Sequence, residues 1–208
     1  MKKILFVDCL TTGMNTERCA IYNLSGIYTE DGVEVKRIDL HIRPFPGARI
    51  NDQSLWIGGV NRATVAAYPE QEKGFQTLIE FLDQCVDVRN SHDKIYIAGF
   101  NSAAFDMPFL WELFRRNGNE RFRNYFHMQV LDVMSVAAFG LLDKRRAMPD
   151  FKLESVAREL GIEPDTQTVG NGLQNARTSL EIFWKLQQNF GLWEFSDFSE
   201  AEQTVKNY

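Results

Sequence analysis

Cysteine, histidine and excess positive charge are all scarce in this sequence, and each shortage removes a class of protein. The three cysteines, Cys9, Cys19 and Cys85, are odd in number, widely spaced and outside any CxxC or Cys/His cluster. Neither a disulfide framework nor a structural zinc site is expected from them, and a reducing, cytoplasmic setting fits that usage. Lys and Arg number 23 against 28 Asp and Glu, a net charge of −5. That balance excludes a broad basic face of the kind that coats nucleic acid non-specifically. No apolar run approaches the ~20 residues of a membrane span. Met1-Lys2-Lys3 followed by Ile4-Leu5-Phe6-Val7 opens like a secretory leader, but Asp8 interrupts the apolar run and no cleavage motif follows. Internal repeats, low-complexity tracts and linkers are absent too.

What is present is enough for one sizeable core: 208 residues, 44% hydrophobic and 12% aromatic, the size of a single α/β domain. We expect that domain over residues 1–190, with 191–208 as a C-terminal tail or extra helix. Lys3 to Asp8 is apolar up to its final carboxylate and reads as a central strand with Asp8 at its C-terminal end. Residues 20–29 and 33–43 are rich in β-formers and flank Glu30-Asp31-Gly32, a hairpin signal. Residues 44–68, with Pro44, Pro46, Gly47, Gly58 and Gly59, read as a long connection with at most one short helix. From Pro69 the spacing of Phe75, Leu78, Ile79, Leu82 and Val86 predicts a helix of about four turns. A buried strand over 94–99 follows, then a helix over 103–117 closed by Gly118. The remainder reads as a strand over 128–131 and helices over 133–142, 152–160 and 173–189. An antiparallel start joined to βαβ units predicts a mixed sheet with helices on both faces.

In an open α/β sheet, ligands bind beyond the carboxyl ends of strands, which directs attention to Asp8 and to the stretch from Asn101 to Asp106. Asp8-Cys9-Leu10-Thr11-Thr12-Gly13 joins a strand-terminal acid to small hydroxyl residues and a glycine. Asp106 opens a helix, where a carboxylate is favoured by the dipole whatever else it does. Phe100, Phe105, Phe109 and Trp111 read as core, His127 as an ordinary core or surface histidine, and Asp132 as a helix cap. The basic runs Arg115-Arg116, Arg121 with Arg123, and Lys144-Arg145-Arg146 read as solvated surface.

These residues carry a resemblance. Asp8-Cys9-Leu10-Thr11-Thr12-Gly13 is similar to the first motif of the DnaQ-like (DEDD) 3′-5′ exonucleases, Asp-x-Glu-Thr-x-Gly. The run from Asn101 to Asp106 resembles their second, Asn-x-x-Phe-Asp, with one extra residue between Asn101 and Phe105. Leu131-Asp132-Val133-Met134, the helix ending in Leu160-Gly161-Ile162, and Asn175 to Phe183 resemble later segments in the same order. The resemblance covers residues 3 to about 188. It implies a ribonuclease-H-like α/β fold whose five-stranded sheet has three antiparallel and two parallel strands. The chemistry implied is hydrolysis of phosphodiesters by two divalent cations held between four carboxylates, with a His or Tyr acting on the attacking water.

Carried over position by position, that set is incomplete. Asp8 and Asp106 match the catalytic and metal-binding carboxylates. Leu10 stands where the second Glu belongs, and Asn175, whose amide oxygen is the third potential metal ligand, stands where the last Asp belongs. Gly170 and Asn171 stand where the two subfamilies carry His and Tyr. The resemblance therefore implies Mg2+ or Mn2+ held weakly or as a single ion, since hard cations depend on ligand charge and number. It implies a cleft that binds single-stranded DNA or RNA 3′ ends, with Thr11, Thr12, Gly13, Asn101 and Phe105 on the substrate, and lost or impaired catalysis. Two alternatives stand beside it. One is an active exonuclease with substitute ligands from Glu17, Asp165 or Glu181; the other is a protein-interaction module, with a protein partner or a homodimer, that has lost nucleic-acid binding.

Overall fold

The computed structural model describes residues 1–163 and 170–190. A five-stranded sheet has the order β3-β2-β1-β4-β5. Its strands are β1 (Lys3–Thr11), β2 (Ile21–Glu30), β3 (Val33–His41), β4 (Tyr96–Gly99) and β5 (Leu131–Asp132). β2 pairs antiparallel with both β1 and β3, while β4 pairs parallel with β1 and β5 with β4. This is the ribonuclease-H-like mixed sheet that the sequence implied. The β2–β3 turn is made by Asp31 (φ 48°) and Gly32 (φ 90°), the pair of positive φ angles that matches a tight turn to strand twist.

The helices are α1 (Asp52–Ile57), α2 (Arg62–Ala66), α3 (Gln71–Asp83), α4 (Asp106–Arg116), α5 (Phe122–Tyr125), α6 (Val133–Gly140), α7 (Leu153–Glu159) and α8 (Gly172–Phe190). Because successive strand residues face opposite ways, β1 divides its apolar run between two cores. Leu5, Val7 and Cys9 pack with Leu78 and Leu82 of α3 and with Phe109, Leu110 and Phe114 of α4. Ile4 and Phe6 face the other way, onto Val133 and Ala137 of α6, Val156 of α7 and Leu180, Phe183 and Trp184 of α8. Asp8 and Leu10 continue the Ile4–Phe6 row towards the end of the strand.

Four expectations differ from the structure. β1 extends to Thr11, so Asp8 lies inside the strand, because Cys9, Leu10 and Thr11 still find partners in Leu24, Asn23 and Ile21 of β2. The connection 44–68 holds two helices, each started by an asparagine: Asn51 Oδ1 accepts from Gln53 N and Asn61 Oδ1 from Thr64 N, the side-chain cap that such short helices need. The expected strand over 128–131 is only the two residues of β5, with a lone bridge from Ile95 to Phe126. The short α5 and a 3-10 turn over Arg145–Ala147 lack the apolar period that would announce them. Residues 191–208, expected as a tail or extra helix, lie outside the described residues.

Phe6 is fully buried between Phe183 (ring centroids 5.5 Å apart) and Trp184 (6.3 Å). Phe6→Ala is expected to lower unfolding free energy by about 3–5 kcal/mol, read from the urea midpoint at unchanged m-value.

Candidate active site

β1 outruns its parallel neighbour: its last partner in β4 is Ala98, opposite Phe6. On that side Cys9 N–H has no strand to bond, and Asp106 supplies the acceptor, with Oδ1 at 2.7 Å. The other oxygen, Oδ2, accepts from Ser102 Oγ at 2.8 Å. Asp106 is thus placed by the first turn of α4 and fixed by two donors. The loop that delivers it turns at Asn101, a non-glycine residue at φ 65°.

Asp8 lies beside this pair on the α8 side of the sheet. Asn175, on the first turns of α8, donates from Nδ2 to Asp8 Oδ2 at 3.3 Å. Burial raises the affinity of Asp8 for its proton well above that of an ordinary carboxyl, and the negative charge of Asp106 raises it further; the Asn175 hydrogen bond only partly offsets this. Asp106 is raised as well, by burial, against the lowering effect of Ser102 and Cys9. The Cys9 thiol is pushed up by burial and by both carboxylates, so it remains protonated and inert.

The positions that depart from the exonuclease pattern are shaped for their present residues. Leu10 packs against the small cluster of Tyr22, Leu55 and Val65. Gly170 has φ 76°, and a Cβ built there would lie 2.4 Å from the Gly58 carbonyl carbon and 2.5 Å from its oxygen. Backbone meets backbone at that point, leaving no room for the side chain the family pattern puts there.

Of the expected substrate residues, Thr11 and Thr12 are buried and their hydroxyls are engaged: Thr11 Oγ1 donates to Gly13 O, while Thr12 Oγ1 donates to Arg49 O and accepts from Ala20 N. A Cβ on Gly13 would meet Cys19 Sγ at 2.8 Å. Asn101 is exposed, and Phe105 is partly buried with its ring 5.1 Å from that of Phe109. Asp132 caps α6 through Ser135 N and also accepts from Ala103 N. His127 stacks on Tyr96 at 4.0 Å, at the end of β4 away from Asp106. Among the substitutes, Glu17 and Glu181 are exposed, and Asp165 lies outside the described residues. The basic runs are largely engaged: Arg115 and Arg116 pair with Glu112, Arg121 with Asp83 and Lys144 with Glu159.

Two divalent cations do not fit these residues. Leu10 offers no ligand, Asn175 brings no charge and turns its amide nitrogen, not its oxygen, to Asp8, and Asp8 and Asp106 alone are too few carboxylates for two dications. Among the described residues no group of three or more His, Cys, Asp or Glu is placed to hold a metal.

Sequence reasoning missed Ser102, for which the Asp106 spacing of four residues on a helix start was the available signal. It also missed a polar extension of the site across β2 and β3. Two cross-strand rows run there, Asp8–Ser25–Asp39 and Leu10–Asn23–His41. Asn23, Ser25, Asp39 and His41 alternate with apolar residues along their strands, a signal masked by the strong β-forming character of both segments.

Comparison with known proteins places the chain. A family model described as the RNase_H superfamily matches residues 55–178. The chain belongs to the RNase_H superfamily. Ribonuclease T of Shewanella denitrificans is 23% identical over 184 residues, covering 85% of this chain and 76% of that protein. Among solved structures, E. coli exonuclease I in complex with a dA16 oligonucleotide superposes with a TM-score of 0.71 at 16% identity, covering 91% of this chain. The zinc-ion-bound form of the E. coli exonuclease I complex with single-stranded DNA gives 0.72 at 18% identity. This chain spans 41% of either exonuclease I chain. The fold is the one that these exonuclease I structures share. Among the described residues no helix is long and apolar enough to cross a membrane.

The raised affinity of Asp8 for its proton has a definite sign in stability. The folded state holds that proton to higher pH than the unfolded chain, where an Asp titrates near about 3.9. The group therefore costs nothing at low pH, and its cost grows as pH rises from the unfolded value to the folded one. Asp8→Asn is expected to melt at a higher temperature than the native chain at pH 7, with the gap closing by about pH 3.5, in thermal melts across that range.

Proposed function

We propose that this chain binds the 3′ end of single-stranded nucleic acid in the cleft between β1, α4 and α8, and that its capacity for phosphodiester cleavage is lost or strongly impaired. The observation that carries the second half is the backbone contact between Gly170 and Gly58. A missing general base alone costs about a hundred- to ten-thousand-fold in rate, and here the space for that base is filled by main chain. The two missing carboxylate positions act in the same direction. With Leu10 in a hydrophobic cluster and Asn175 uncharged, at most one divalent ion, Mg2+ or Mn2+, is held, and weakly.

The first half is supported by the superfamily and by the retained polar cleft. Ribonuclease T and exonuclease I are the proteins this chain is similar to, the latter solved with oligonucleotides. A net charge of −5 and the pairing of ten basic side chains with acidic ones among the described residues support recognition of a strand end over coating of a whole strand. Binding of this kind carries a shallow dependence on salt, because few phosphates are neutralised.

Calorimetric titration of Mn2+ and Mg2+, followed in the same sample by incubation with a 5′-labelled single strand, tests this. Weak or single-ion binding and an intact strand are expected; tight uptake of two ions with shortening of the strand would sink the reading. Leu10→Glu combined with Asn175→Asp is expected to strengthen ion binding at least tenfold. Gly170→His, by contrast, is expected to lower stability by at least ~1–3 kcal/mol through its backbone conformation, without restoring cleavage.

A further inference from the structure

A cavity of about 480 Å³ opens beside the carboxylate pair, over β2 and β3. Its walls include Tyr22, Asp39, His41, Tyr68 and the Gly170–Gly172 approach to α8. The volume is that of a small-ligand pocket, and its two ends differ in electrical character.

At one end lies the N-terminus of the 19-residue α8. Asn171 Oδ1 takes the Gln174 N–H at 3.1 Å, while the N–H groups of Gly172 and Leu173 have no partner among the described residues. Free amides and the helix dipole make this the end that attracts an anion. Tyr22 stands beside it. The side chain is 1% exposed, its hydroxyl lies over the α-carbon of Gly58, and it makes no hydrogen bond among the described residues. Burial, with Tyr68 and Asp8 near by, pushes its pKa up to about 12, so it stays a donor. Tyr22 lines the cavity and its hydroxyl has no protein acceptor among the described residues, which leaves the donor open to an acceptor that arrives with a ligand.

The opposite end is Asp39. Its Oδ1 accepts from Asn23 Nδ2 and Ser25 Oγ, each at 2.7 Å, and Oδ2 takes no bond among the described residues. An ionised carboxylate can only accept. Between the ends, the rings of His41 and Tyr68 meet at 4.7 Å and 56° to form an aromatic corner. From Leu10 across Asn23 to His41 is two strand steps, roughly 10 Å, the span of a nucleotide from its phosphate to the far edge of its base.

Anion-seeking amides, an aromatic corner and a lone acceptor in that order match a nucleotide with a hydrogen-donating base edge. We propose that the terminal nucleotide of a bound strand directs its phosphate towards α8 and Tyr22 and its base towards Asp39, and that Asp39 selects bases bearing an exocyclic amino group. The inference rests on the strand-end reading above. Adenine and cytosine present an amino N–H to the free oxygen; thymine presents a carbonyl oxygen at the same place, and two acceptors repel. One such contact discriminates by about tenfold.

Fluorescence anisotropy with 5′-labelled strands that differ only in their 3′-terminal base reads this directly. Ends in dA or dC are expected to bind about tenfold more tightly than an end in dT. Asp39→Asn keeps one oxygen for Asn23 and Ser25 but replaces the free acceptor with a donor. It is expected to abolish or reverse the preference among the three ends. Measurable but equal binding of the three ends overturns the inference and leaves the strand-end reading standing, as does a preference that survives Asp39→Asn. Failure of every strand to bind overturns both.

Discussion

The bond from Cys9 N–H to Asp106 joins the sheet to its active-site helix. A central strand that extends past its neighbour exposes backbone donors, and a buried donor without a partner is costly. Asp106 satisfies the donor and, in doing so, is drawn to within electrostatic reach of Asp8. Neither carboxylate would be favoured there by packing alone. The side chain that the motif resemblance offers as a metal ligand thus also completes the β1 ladder, and Ser102 fixes its second oxygen. Asp106 therefore has a place in the fold that is independent of any chemistry at the site.

Both faces of β1 depend on the same alternation. Odd residues enter the core under α3 and α4, and even ones enter the core under α6, α7 and α8. The row of even residues turns from Ile4 and Phe6 to Asp8 and Leu10 where α8 begins, so the change from apolar core to polar cleft happens within a single strand. The N-terminus of α8 marks that border, with Gly172 seated directly on Asn23 and Ser25.

Much of this was legible in the sequence, and the reasons differ from element to element. β1, α3, α4 and α8 carry long apolar periods, and the hairpin carried Asp31-Gly32; such signals are local and survive any tertiary context. The end of β1 was misplaced because Leu10 and Thr11 pair only by virtue of β2 running beside them. The helices α1 and α2 were obscured by Gly58 and Gly59, which mark the break between them. Motif order singled out Asp8, Leu10, Asp106 and Asn175 as candidates, and it did not single out Asp39, His41 and Tyr68. These come to line the neighbouring cavity only through strand register and the return of the chain near Gly58, relations between distant segments that no local pattern encodes.

The contact between Gly170 and Gly58 also ties two distant segments to one another. Two main chains touching leave no intermediate size of side chain to pass through, so restoring a bulky residue at 170 requires the 58 segment to withdraw first. That withdrawal would expose the Tyr22 hydroxyl and the Leu55 cluster it now covers. A bulky residue at 170 and a withdrawn 58 segment are each disfavoured without the other, so the two changes are coupled.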